Sequence, residues 1–426
     1  KTGGYYPGVS AAAAFAMAGD NIRAKKIAGK VAAECETLLA DIDDDAPTYY
    51  ARATLGEALL IAGDRAGAER AFAAARGAED FTPGKAATTR KQLHRLAAPL
   101  SLNEAWIDSA LPQRSALYFS GPLVAEGADE DKLTGAIDAF LEKHDVASAF
   151  GALAAGADIV IAERLLAAGV ALNIQLPLTP DAFLTRSVAP FGESWSRRFV
   201  ACLERAQTVD WNRNARIGPA AYRLGARVSM GKAIAQARTL DGEALGFFAV
   251  RRDDHGERSV SHDNESWWRS LGLEAEVLKL GWPKPPSARD DDPAGRIYAA
   301  LTITGPGAAK VVVAEAAFSA ATAGGVIAAF AECAQATAAA RALAPVHPAL
   351  RFWLDAGLSA EGDEEALARS LVTAICRPET APGRIYASEI FADLASATPS
   401  PPDFVYVGHP ALEEKLHPCP LYLLQS

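Results

Sequence analysis

The sequence predicts a multidomain chain: an α-helical repeat segment at 1–105, an α/β region with a parallel sheet at 114–275, a linker at 276–293 and an α+β region at 294–426. Three observations carry this. An alanine-rich helical pattern recurs near the start; short apolar runs closed by glycine or proline alternate with helical stretches in the middle; and Trp282 to Pro293 gathers proline and charge before a second set of strand-like runs. With 426 residues, roughly two to four separate cores are expected.

The repeat is marked by Ala18-Gly19-Asp20 and Ala62-Gly63-Asp64, each joining two helical stretches, with the glycines 44 positions apart. In the second copy Leu55, Gly56, Ala68, Phe72 and Ala75 have the small and aromatic spacing that lets two helices of a hairpin pack closely; the first copy keeps Ala24 but has Ala28 in place of Phe72. Alanine favours helix and contributes little apolar area, so such helices must approach closely. One hairpin cannot bury both faces, so the surplus surface meets further repeats or a protein partner. The opening Gly3-Gly4-Tyr5-Tyr6-Pro7-Gly8-Val9-Ser10-Ala11-Ala12, with Ala18-Gly19-Asp20, resembles the TRAF-binding regulatory region of the apoptosis signal-regulating kinases and its bacterial relatives. That resemblance implies a tetratricopeptide-like interaction platform; an alanine-rich bundle that supports its neighbours is the open alternative.

In the middle region Ala116–Ser120 reads as a buried strand, Asp129–His144 as a helix, Ala147–Phe150 as a strand, Ile159–Ala168 as a helix ended by Gly169, and Val170–Leu176 as a strand closed by Pro177. Alternation of this kind predicts a Rossmann-like parallel sheet with helices on both faces. Gly151-Ala152-Leu153-Ala154-Ala155-Gly156-Ala157-Asp158 joins a strand to a helix N-terminus, where backbone N–H groups and the helix dipole favour a phosphate; a tight turn is the plain alternative. Tyr118-Phe119-Ser120-Gly121, this loop, Ala162-Glu163 and Leu176-Pro177 together resemble the SLOG superfamily, which includes the Rossmann-like domain of the DNA-processing protein DprA. The resemblance implies that nucleotides or nucleotide-derived signals bind at the strand ends, through Ser120, Gly121, Gly151, Ala152, Gly156, Asp158 and Glu163; Ser187 at the rim and Tyr222 on the later helix are further ligand-facing candidates from their own positions. The phosphoribohydrolase signature PGGxGTxxE is absent, so cleavage of nucleoside monophosphates is not implied. Ala155 stands where an arginine often does, which leaves backbone groups or Arg186, Arg197 and Arg198 to meet a phosphate. Asp158 has a plain reading as a helix cap, Glu163 as a solvated residue and Trp195 as a helix anchor. Ala220–Ala233 reads as a helix, with Gly225 and Gly231 allowing close approach to the sheet, and Leu245–Arg251 as a strand. Asp253, Asp254, His255, His262, Asp263 and Glu265 read as a solvated loop rather than a metal site.

Beyond the linker, Ile297–Thr304 reads as a strand, Phe318–Ala342 mostly as one long helix, Leu350–Asp355 as a strand and Glu364–Ile375 as a helix. Arg351–Gly357, Arg377–Gly383, Ile385–Glu389, Phe404–Gly408 and Cys419–Leu424 fall in the order of the closing half of class III nucleotidyl cyclase domains, and the similarity implies a ferredoxin-like α+β fold. A cyclase needs two aspartates to hold its metal ions. Leu301-Thr302-Ile303-Thr304-Gly305-Pro306-Gly307 and Ala344-Pro345-Val346-His347-Pro348 supply none, so an inactive shell that mediates dimerisation or packs on the second domain is expected.

A net charge of -10 and a pI near 5.3 argue against a nucleic-acid partner. Cys35, Cys202, Cys333, Cys376 and Cys419 are scattered, which suggests neither zinc nor disulfides and fits a reducing cytoplasm. No apolar run reaches the ~18–20 residues of a membrane span, no signal pattern opens the chain, and residues preceding Lys1 are expected in the native protein. These features point to a ligand-sensing signalling scaffold that binds a nucleotide-derived metabolite, requires no cofactor and meets a protein partner through its helices, with homo-oligomerisation open. The rivals are a nucleotide-processing hydrolase with Asp158 or Glu163 as base and a purely structural adaptor.

Overall fold

The computed structural model describes residues 4–41, 48–124, 130–212, 218–252, 260–283, 295–322, 324–360, 380–408 and 420–425. The chain forms two compact units, Lys1–Ser115 with Ala237–Glu243, and Ala116–Gln236 with Ala244–Ser426.

The first unit is helical: α1 (Tyr5–Met17), α2 (Asn21–Ala40), α3 (Tyr49–Ala62), α4 (Arg65–Arg76), α5 (Pro83–Leu100) and α6 (Glu104–Ala110). Both Ala-Gly-Asp triplets do the same local work. Gly19 and Gly63 take left-handed backbone, φ 81° and 103°, as the chain leaves α1 and α3. Asp20 and Asp64 then cap α2 and α4, accepting from the amides of Arg23 at 3.1 Å and Gly67 at 2.8 Å. Ala12, Ala16, Ala24, Ala28, Ala68 and Phe72 are all buried. On α5 the Arg90 side chain is 1% exposed and is held by Asp108 at 2.9 Å, by Asp241 at 3.2 Å and by the Leu111 carbonyl. His94 meets the same Asp241 carboxylate at 3.0 Å.

The second unit holds two sheets. The first consists of β1 (Ser115–Ser120), β2 (Val146–Gly151), β3 (Ala171–Leu176), β4 (Thr208–Trp211), β5 (Ala244–Arg251) and β6 (Glu274–Leu280), in spatial order β4-β3-β2-β1-β5-β6. The pairs β2/β3, β3/β4, β1/β5 and β5/β6 are parallel. Helices α7 (Asp131–Lys143), α8 (Ala157–Ala167), α9 (Pro180–Ser187), α10 (Glu193–Arg205), α11 (Pro219–Thr239) and α12 (Val260–Ser270) connect the strands. Strands β2 to β4 lie on one side of β1, and β5 and β6 lie on the other. The winding therefore reverses between β1 and β5, where a doubly wound sheet opens a crevice at its carboxyl edge. The sheet also runs past the expected boundary at residue 275. β6 occupies the start of the expected linker, and Leu280 and Trp282 are buried in the sheet's core. Its Glu-Ala-Glu-Val-Leu-Lys-Leu composition is that of an edge strand half in solvent, which the neighbouring prolines and charges masked.

The second sheet is mixed: β7 (Gly295–Thr304), β8 (Phe318–Thr322), β9 (Gly325–Phe330), β10 (Arg351–Ala360), β11 (Ile385–Ser388), β12 (Phe404–Gly408) and β13 (Leu421–Leu424), in order β12-β13-β11-β10-β7-β9-β8. Helices α13 (Cys333–Leu343) and α14 (Glu389–Ser396) pack on its core around Leu301, Phe330, Phe352 and Phe391. The long helix expected over Phe318–Ala342 is instead β8, β9 and only then α13. β9 is buried at all six positions, so an alanine-rich run suits a strand covered on both faces and overrides the helix propensity of alanine. The helix expected at Glu364–Ile375 lies outside the described residues. α11 serves both sheets, with Ala221 in the first core and Leu224 and Val228 in the second. Gly225 faces Pro177, after β3, but Gly231 lies against the Asp393 backbone of α14 rather than the parallel sheet. Among the described residues no helix is long and apolar enough to cross a membrane.

Candidate functional site

A cavity of about 280 Å³ opens outside the carboxyl ends of β1, β2, β3 and β5, at the reversal of winding. Its size lies just below the ~300–1,000 Å³ usual for small-molecule sites. The floor comes from Tyr118 to Leu123 as β1 ends, one wall from Ala152, Ala154 and Asp158, and another from Tyr222, Gly225, Ala226 and Ser229 of α11. Those four residues of α11 recur at helical spacing and so share one face. Gln175, Phe183, Arg251 and Asn264 complete the enclosure.

The polar groups within it are paired in a specific way. Asn264 Nδ2 donates to Ser120 Oγ at 3.0 Å, and the hydroxyls of Ser187 and Tyr222 lie 3.1 Å apart. Gln175 Nε2 reaches Asn212 Oδ1 at 3.4 Å. Arg251 directs Nη2 to the Leu123 carbonyl at 2.6 Å and Nε to the Pro283 carbonyl at 3.1 Å. Ser229 is 1% exposed, and its Oγ has no hydrogen-bond partner among the described residues.

Asp158, in the first turn of α8, turns back over the loop rather than capping its own helix. Its Oδ1 accepts from the Gly121 amide at 2.8 Å and its Oδ2 from the Ala154 amide at 3.2 Å. Burial pushes its carboxyl up to about 7, against the lowering effect of those two amides. The same burial, with Asp158 beside it, pushes the Tyr118 phenol upward.

Six of the nine residues singled out in the sequence meet here: Ser120, Gly121, Ala152, Asp158, Ser187 and Tyr222. Three do not. A Cβ on Gly151 would meet the Phe119 ring, so this glycine, at the end of β2, makes room for a side chain of the neighbouring β1. Gly156 has φ 125°, and its Cβ would come 2.5 Å from the Val124 nitrogen; it bridges to Leu123 and seals the loop. Glu163 pairs with Arg198 at 2.7 Å, and Arg198 also holds Glu130 at 2.9 Å and lies 4.1 Å over the buried Trp195 ring. Neither Arg198 nor Arg186 nor Arg197 lines the cavity, so the cations expected to replace the missing loop arginine are elsewhere. Trp195 anchors its helix. His262, Asp263 and Glu265 lie on α12 and not in a loop, while Asp253, Asp254 and His255 fall outside the described residues.

Sequence reasoning missed Gln175, Ser229, Arg251 and Asn264. Ser229 was findable, since it stands seven positions after Tyr222, two turns along the same helical face. Asn264 was not, because only the tertiary fold brings α12 to the end of β1.

No family model, curated protein or solved structure matches this chain.

Proposed function

We propose that this chain is a ligand-sensing scaffold whose cavity binds a small nucleotide-derived metabolite and whose helical hairpins bind a protein partner. One observation carries the reading: a mostly apolar cavity with a few convergent polar groups lies where the winding of a parallel sheet reverses, the position such sheets use for ligands. On this reading the helical hairpins are tetratricopeptide-like repeats, which the identical Gly-Asp corners support. The parallel sheet is SLOG-like, and the mixed sheet is a cyclase-like shell whose strand β7 ends Leu301-Thr302-Ile303-Thr304 without a metal-binding acid. Coupling runs along the chain. α11 offers Tyr222, Ala226 and Ser229 to the cavity, and the segment leaving it, Ala237–Glu243, belongs to the helical unit, where Arg90 and His94 hold Asp241.

Thermal-shift screening of nucleosides, nucleotides, cyclic nucleotides and ADP-ribose tests this, with Ala226→Trp as the filled-cavity control. A compound that raises the melting temperature of the wild type and not of the variant is expected; identical responses of both proteins to every compound would remove the reading. A second reading, a hydrolase with Asp158 as base, is favoured by a cavity-lining carboxyl that titrates near neutrality. Incubation with labelled nucleotides separates the two, because the scaffold leaves them intact.

A further inference from the structure

The glycine loop invites a phosphate, yet two of the amides beside the cavity already serve a carboxyl of the protein. Gly121 N–H and Ala154 N–H, from the two loops that border the cavity, both donate to Asp158. Among the described residues Asp158 has no cationic partner, and its side chain lines the cavity. A phosphate brought to the same amides would have to displace this carboxylate or lie beside it in a medium that screens poorly, and like charges so placed repel strongly. Arg251, the cation in the cavity wall, is engaged by two backbone carbonyls. Asp158 itself can still accept from a further donor. Each Asp158 oxygen accepts one N–H and retains a lone pair, while Ser229 Oγ is buried in the wall without a partner among the described residues.

We infer that the cavity selects a phosphate-free ligand that presents an amino or ammonium group to Asp158, as the exocyclic amino group of a nucleobase does. The inference rests on the proposed ligand-site reading and narrows it: the anion is supplied by the protein and the ligand supplies the donor. A buried carboxylate is better solvated by such a ligand than by the cavity alone, which gives binding its driving force and its discrimination.

Calorimetric titration of the full chain at pH 8, where Asp158 is ionised, with adenosine, cytidine, guanosine and uridine, and with their 5′-monophosphates, tests it. At least one amino-bearing nucleoside is expected to bind ten or more times tighter than its own monophosphate and than uridine, and Asp158→Asn is expected to weaken it at least tenfold. The nucleoside and monophosphate comparison is made on the wild type, so it stands even where the variant does not fold. A monophosphate that binds as tightly as its nucleoside, or better, overturns the inference and leaves the ligand site standing. Heat from none of the eight compounds removes the nucleotide-type reading of the site itself.

Discussion

At the level of single residues, burial pushes four carboxyls of the described residues upward, those of Glu57, Asp158, Asp355 and Asp393. Burial raises Asp158 and Glu57 to about 7 and Asp393 to about 8. In the unfolded chain such groups release their protons near pH 4. Between pH 4 and 7–8 the folded state therefore holds protons that the unfolded state has lost, and stability falls as pH rises through this window. Urea denaturation between pH 5 and 8.5 is expected to show declining midpoints, flattened by Asp393→Asn; wild-type midpoints that hold steady or rise with pH would contradict this. Asp158 was legible in the sequence as a residue at the start of a helix, but its acceptance of two loop amides was not, because Gly121 comes from a different strand. Gly156 was legible as a loop glycine, though the fold uses it to hold the loop against Leu123 rather than to line the cavity. With its φ of 125°, Gly156→Ala combines backbone strain with a backbone clash, an expected cost of about 2 kcal/mol or more in chemical denaturation.

Secondary elements were readable wherever the signal was local. The Ala-Gly-Asp corners announce themselves because glycine and aspartate act on the very turn they occupy, and the β1, β2 and β3 runs are bounded by their own glycines and prolines. β8 and β9 were not: their alanines favour helix, β9 is buried at all six positions only by the tertiary fold, and β8 is a half-exposed edge strand. The α3–α4 hairpin has a comparable dependence on one contact: Phe72 is fully buried, and its ring occupies the space a Cβ on Gly56 would need, 2.8 Å away. Phe72→Ala is expected to destabilise the helical unit by ~3–5 kcal/mol, while Gly56→Ala, which overpacks the same contact, costs ~1–3 kcal/mol. Helicity followed by circular dichroism through a melt reads both, and an unchanged first transition in Phe72→Ala would count against this packing.

For the molecule as a whole, the succession of helices, a parallel sheet and a second sheet was visible in sequence order, whereas the grouping of the two sheets into one compact unit was not. That grouping depends on α11, whose Leu224 and Val228 enter the second core while Ala221 stays in the first. Calorimetry is expected to show two transitions, with Phe72→Ala shifting only one. Asp241→Asn leaves the Arg90 guanidinium short of a carboxylate in the helical unit, so it should lower that unit's transition and blunt any ligand response there without changing affinity at the cavity. The claim on which these expectations converge is that the hollow at the end of β1 holds a ligand. A crystal structure of the full chain grown with the nucleoside that most raises its melting temperature tests this directly: ligand density against Asp158, Ser229 and Asn264 is the expected result, and density elsewhere with those three side chains unmoved would contradict it.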